Sequence, residues 1–119
     1  MPLKLSTRTV DGITVLDCMG RVVFGDESMA LRDAVKRILE TTPNLVLNLH
    51  DVSYIDSGGL GTLVGLFTSA RNAKGNIKLA ALNHRVIDLL QVTKLLTVFD
   101  TYPSDAEAVK SFVVAAPVA

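Results

Sequence analysis

Few side chains in this 119-residue chain are equipped for chemistry, and they do not assemble into a catalytic set. Ser57 has the most distinctive setting, inside Asp56-Ser57-Gly58-Gly59-Leu60-Gly61. A hydrolase nucleophile on a strand-to-helix turn wants Gly-x-Ser-x-Gly, and Ile55 stands where the first glycine belongs. A base would have to come from His50 or His84, the only histidines. His50 closes the strand before Ser57 and can approach it, although a histidine there is more often structural. Gly75 and Lys74 lack the context of a phosphate-cradling loop. Asp26, Asp51 and Asp56 do not have metal-ligand spacing and read as caps and turn residues, so neither a metal nor a cofactor is expected. Cys18, in a β-rich run without an electropositive neighbour, reads as a small apolar core residue. The expectation is a protein that is not an enzyme.

What remains for Ser57 is either a plain helix cap or a modification. A phosphoserine adds roughly −1.5 to −2 charges at neutral pH. At a helix start the free amides and the dipole accommodate it, each effect being worth about 0.3–1 kcal/mol, so the fold should survive. A partner pressed against the site would instead meet a new dianion beside Asp56. Two like charges about 4 Å apart near a surface repel by roughly 4 kcal/mol, and about 1.4 kcal/mol is tenfold in affinity.

The elements that position Ser57 are a strand and a helix. Asn44–His50 is apolar at most positions, as in an interior strand covered on both faces. A helix over Ser57–Lys74 follows, with Asp56 or Ser57 able to cap it and Gly75 ending it. An interior glycine costs about 1 kcal/mol relative to alanine, so Gly58, Gly59, Gly61 and Gly65 require a reason. At 100° per residue, Leu60, Leu63, Val64, Phe67 and Ala70 share one face, and Gly58, Gly61, Gly65 and Ser69 fall nearly opposite. Two readings stay open: the glycines let a neighbouring loop of the same chain pass close, or they make a flat docking surface with Ser57 at its edge.

The rest of the chain supplies the frame. Leu3–Val10 and Ile13–Met19 form a hairpin about Asp11-Gly12, ended by Gly20-Arg21. Val22-Val23-Phe24-Gly25 connects to a helix capped by Asp26 or Ser28, with Leu31, Ala34, Val35, Ile38 and Leu39 inward and Pro43 beyond its end. Asn76–Leu82 is a strand. Asn83 caps a helix through Lys94 with Val86, Leu89, Leu90 and Thr93 inward, and Thr97–Tyr102 is extended. Ser104 and Glu107 have capping-box spacing for a last helix whose inner side is Val109, Phe112 and Val113, and Ala115–Ala119 reads as a frayed tail. Strands alternating with helices after a hairpin give a mixed α/β sheet.

Twelve basic and twelve acidic residues leave no strong field for nucleic acid or an anionic membrane. A single cysteine permits no internal disulfide and suits a reducing compartment. Met1-Pro2-Leu3-Lys4 does not read as a signal peptide, and no apolar run is long enough to span a bilayer. The expectation is one cytoplasmic domain over residues 1–119 that binds no nucleic acid and inserts in no membrane.

The run Val52-Ser53-Tyr54-Ile55-Asp56-Ser57-Gly58-Gly59-Leu60-Gly61 resembles the signature of STAS domains, and among them the bacterial anti-sigma factor antagonists: a turn running into Asp-Ser-x-Gly-Leu-Gly. The resemblance extends from the hairpin with Gly20-Arg21, through Leu31-Arg32, to Leu95 and Phe99. It implies a single STAS-type α/β domain, a mixed sheet of about four to five strands with about four helices. It also implies a partner switch. In that family the serine matching Ser57 is phosphorylated by the anti-sigma factor, a serine kinase of the histidine-kinase-like ATPase type. The unphosphorylated form binds the kinase and frees the sigma factor, and a serine phosphatase resets it. The docking residues expected here are Asp26, by the resemblance, together with Asp56, Ser57, Gly58, Gly61, Gly65 and Ser69. Many members carry an acid three positions after the glycine matching Gly20; here Val23 stands there and the acids follow as Asp26 and Glu27. STAS domains also occur in stress-signalling scaffolds and as subunits of lipid-transporting ABC complexes, an alternative in which Ser57 is never phosphorylated; the complete Asp-Ser motif favours the regulatory group.

Overall fold

β1 (Lys4–Val10) and β2 (Ile13–Val22) pair antiparallel about Asp11-Gly12. Both turn residues have positive φ, 50° and 82°, the geometry that matches the twist of the flanking strands. The computed structural model describes residues 3–114. Met1, Pro2 and the tail Ala115–Ala119 lie outside the described residues.

Both strands that lead to the site run longer than their sequence patterns imply. β2 continues through Gly20-Arg21 to Val22, with register shifts against its neighbour between Asp17 and Met19 and between Gly20 and Arg21; such irregularities bend and re-aim a strand end. β3 (Asn44–Ile55) continues past His50, so the histidine does not close it. β4 (Asn76–Ala80) stops two residues before Leu82. Only Thr101–Tyr102 of the last extended run is strand, β5, and Thr97 and Val98 lie in a turn.

The sheet order is β1-β2-β3-β4-β5, parallel from β2 onward. Parallel neighbours need crossovers, and crossovers of one hand place their helices on one face. α1 (Asp26–Leu39), α2 (Ser57–Asn72) and α3 (His84–Val92) accordingly share a core with Leu16, Leu45, Leu47, Leu49 and Leu79. α4 (Asp105–Val114) covers the other face, packing Ala108 and Val109 on Val15, Val46 and Ala80 beside Phe112; the Val113 side chain lies outside the described residues. Ser104 caps α4 by accepting the Glu107 N–H at 3.2 Å. Lys78, buried beneath α4, donates to Ser111 Oγ at 2.7 Å and lies 4.3 Å from the centre of the Phe112 ring. Arg8 binds Asp17 at 2.7 and 3.0 Å and also reaches Asp105, tying the edge hairpin to α4. Cys18 is buried, its thiol pushed up to about 12 by that burial, which makes it unreactive.

Several helix details depart from the sequence reading. The cap of α1 is Gly25 at φ 107°, without a side-chain bond. Asp26 is the first helical residue, and Ser28 turns back to donate to the Val23 carbonyl at 2.6 Å. In α2 the left-handed closing residue is Lys74 at φ 65°, not Gly75, and the Gly75 N–H bonds back to the Ala70 carbonyl at 2.8 Å, a Schellman ending. Gly75 is required for another reason: a Cβ there would sit 1.9 Å from the Pro43 carbonyl oxygen. α3 stops at Val92 with Thr93 exposed, while Asn83 caps it as expected, accepting from Val86 at 3.1 Å.

The inward face of α2 is also rotated. Leu66 joins Leu60, Leu63 and Ala70 in the core, while Val64 and Phe67 flank it half-buried, Phe67 standing edge-on to Phe99 at 5.3 Å. Burial therefore predicts a larger loss from the smaller residue. In urea unfolding, Leu66→Ala should cost about 2–5 kcal/mol and Phe67→Ala less, since an edge pair adds only about 0.5–1.5 kcal/mol; the reverse order would mean that the helix is turned the other way.

Candidate partner-docking site

The site is built where β3 runs out. Asp56 leaves the strand with extended backbone, φ −95° and ψ −178°, and its Oδ1 accepts from the Gly59 N–H at 2.8 Å, capping α2. Both carboxylate oxygens also accept from the Phe24 N–H, each at 3.1 Å, and the Asp56 N–H donates to the Val22 carbonyl at 3.3 Å. One residue thus fastens the β2–α1 connection to the start of α2. The Gly59 amide, then the Phe24 amide, hold the Asp56 carboxyl below its ordinary value of 3.8, helped by the Gly58 amide and the charge of Arg21.

With Asp56 as the cap, Ser57 is free of that duty. It is the first residue of α2 and exposed, and its hydroxyl makes no hydrogen bond among the described residues. His50 does not serve it. The strand runs five more residues beyond His50, to Ile55, roughly 16 Å at about 3.3 Å per residue, and the imidazole Nδ1 instead faces Asp51 at 3.2 Å. The two open readings of the glycines apply to different glycines. A Cβ on Gly58 would lie 2.6 Å from Phe24 Cβ, and one on Gly59 would lie 2.0 Å from the Val22 carbonyl oxygen, so these two admit the neighbouring loop. Gly58 is therefore covered rather than bare. At Gly61 and Gly65 a Cβ would meet nothing within 4 Å, and both are exposed. Ser69, one turn on and half-exposed, donates back to the Gly65 carbonyl at 3.0 Å.

Of the expected residues, Ser57, Gly61, Gly65 and Ser69 share the outer side of α2 with Asp56 as its cap, whereas Gly58, expected on the same bare face, lies under Phe24. Asp26 is exposed in the first turn of α1, and Val23, the position at which the resemblance leads to the expectation of an acid, is buried. Sequence reasoning missed Phe24 and Met29, which wall a cleft of about 350 Å³ with Arg32, over Gly58, Gly61 and Thr62. The available signal was an aromatic residue directly before a glycine in a connection, where no strand or helix face can bury it. At the same end of the sheet Tyr54 is half-exposed under the Arg21 guanidinium, 5.8 Å from the ring centre.

The model of the STAS domain family matches residues 4–108, most of the chain. The chain belongs to the STAS domain family. The anti-sigma-B factor antagonist of Bacillus subtilis (strain 168) is 39% identical over 70 residues, which cover 59% of this chain and 64% of that one, so the chain spans under two thirds of that relative's length. Among solved structures, an anti-sigma factor antagonist of Thermotoga maritima, described as putative, superposes with a TM-score of 0.82 at 24% identity over 90% of this chain and 92% of its own. The Bacillus cell fate determinant SpoIIAA in its phosphorylated form gives 0.69 at 15% identity over 92% and 98%. These structural likenesses concern the STAS fold: five strands, four helices, and a helix starting from the end of the central strand.

The geometry separates the roles of Asp56 and Ser57 in stability. A carboxyl depressed in the folded state contributes stability that is present above the unfolded value and is lost as pH falls through the folded one. Asp56→Ala should therefore lower the melting temperature at pH 7, and the gap to the parent should close as the pH is taken below about 3.8. Ser57→Ala should stay within about 0.5 kcal/mol of the parent throughout. A pH-independent gap for Asp56→Ala, or a large loss for Ser57→Ala, would contradict this division.

Proposed function

We propose that this STAS domain is an anti-sigma factor antagonist: unphosphorylated, it binds an anti-sigma serine kinase and releases the sigma factor, and phosphorylation of Ser57 switches it off until a serine phosphatase resets it. The observation that carries the reading is the exposed hydroxyl of Ser57, relieved of capping by Asp56 and placed at the edge of the open Gly61–Gly65 face. Two exposed helical glycines with no neighbour in their own chain lower helix stability by about 1 kcal/mol each, and close approach by another protein accounts for that cost. The names of the relatives and the phosphorylated form of SpoIIAA support the same role. On this reading the protein is a non-catalytic interaction module of the cytoplasm, needing no cofactor. No helix among the described residues is long and apolar enough to cross a membrane.

The switch works through the interface. A phosphate on Ser57 lies beside the free amides of the first turn of α2, which favour negative charge, so the fold keeps its form. A partner covering the same spot has to strip water from a dianion, which costs several kcal/mol per buried ion unless it is repaired by new pairs. Incubation with the anti-sigma serine kinases of the source organism and ATP should place one phosphate, on Ser57, and Ser57→Ala should take none. By calorimetry Ser57→Ala should bind the kinase as tightly as the parent, and Ser57→Asp more than tenfold more weakly. Phosphate on Ser53, Ser69 or Ser104 would overturn the assignment. Equal binding by the Asp and Ala variants would favour the alternative of an assembly subunit with an unmodified serine.

A further inference from the structure

The β2–α1 connection presents a large apolar side chain that the fold does not use. Phe24 is 81% exposed, and Met29, on the first turns of α1, is 60% exposed. The Phe24 backbone is nevertheless held firmly. Its N–H is bound by both oxygens of Asp56, and its Cβ rests where Gly58 has no side chain. Gly25 follows at φ 107°, and Ser28 ties down the Val23 carbonyl on the other side. A fixed backbone with its ring in water is the preorganised form of an interface anchor, because less freedom is lost on binding. Beside the ring lies the cleft lined by Gly58, Gly61, Thr62 and Arg32.

We propose that Phe24, seconded by Met29, is the affinity anchor for the anti-sigma kinase, inserting into an apolar pocket of the kinase while a kinase side chain fills the cleft over Gly61. This rests on the function proposed above and adds the residue that sets affinity. The occupant follows from continuity with Ser57. A kinase that phosphorylates Ser57 must bring its active site to that hydroxyl, and a stable complex covers about 800 Å² per partner, a disc roughly 16 Å in radius. Phe24 packs on Gly58, the next residue after Ser57, so it lies well inside any such footprint. Asp56 is then a positioning residue for the anchor as well as the cap of α2.

The test uses the kinase that phosphorylates the parent protein, with affinity measured by calorimetry and Ser57 phosphorylation rate measured at low protein concentration. Phe24→Ala should keep the parent melting temperature, since the ring is exposed, yet lose affinity by about 30-fold or more, the scale of an interface hot spot. Phe24→Leu should recover most of the loss, and Met29→Ala should lose several-fold. Val92→Ala removes an equally exposed apolar side chain on α3, outside the cleft, and should bind as the parent does. Binding of Phe24→Ala within about twofold of the parent would overturn the anchor and leave the proposed function standing. If no anti-sigma kinase binds or phosphorylates the parent, the proposed function falls and the anchor with it.

Discussion

The carboxylate of Asp56 is the joint on which this end of the molecule depends. It accepts the Gly59 amide of α2 and the Phe24 amide of the β2–α1 connection together, while its own N–H holds the Val22 carbonyl. An extended strand end, a loop and a helix start are locked by one residue, and the Gly59 amide, one of the orphan donors of the helix, is satisfied without drawing on Ser57. A hydroxyl that carries no structural load can gain a phosphate, or lose its oxygen, without disturbing the domain. The division of labour between adjacent residues is what makes the position suitable for a switch.

The same joint explains the uneven use of glycine. Gly58 and Gly59 let the connection approach within contact distance, and any larger residue there would drive Val22 or Phe24 away. Gly61 and Gly65, one and two turns further on, answer to nothing in their own chain. Packing accounts for the first pair, and surface shape for the second.

Much of the architecture was legible because its signals are local. Asp11-Gly12 marks the hairpin, Asn83 and Ser104 mark helix starts, and the stripe at Leu31 and Val35 marks the inward side of α1. The misreadings arose where a distant segment decides. β3 outruns His50 because β2, bent by its register shifts, stays paired with it to Ile55. Gly75 reads as a helix terminator, yet Lys74 takes the left-handed position and Pro43, just before the start of the neighbouring strand β3, demands the glycine. α2 is apolar over so wide an arc that the helical period alone places Phe67 inward; packing puts Leu66 in the core instead and leaves Phe67 half-buried at its edge, against Phe99. For the candidate site, the motif drew the eye to Ser57, but the exposure of Phe24 depends on the path of a four-residue connection that has no periodicity to read.

The central claim is that phosphorylation changes the surface and not the fold. Amide hydrogen exchange, followed by NMR on the phosphorylated and unphosphorylated protein, tests it most directly. The account predicts equal protection of the Phe24 and Gly59 amides in the two forms, with changes confined to residues bordering the phosphate, under conditions where kinase binding is lost. Loss of protection at Phe24 and Gly59 on phosphorylation would show that the modification opens the Asp56 joint, and would contradict it.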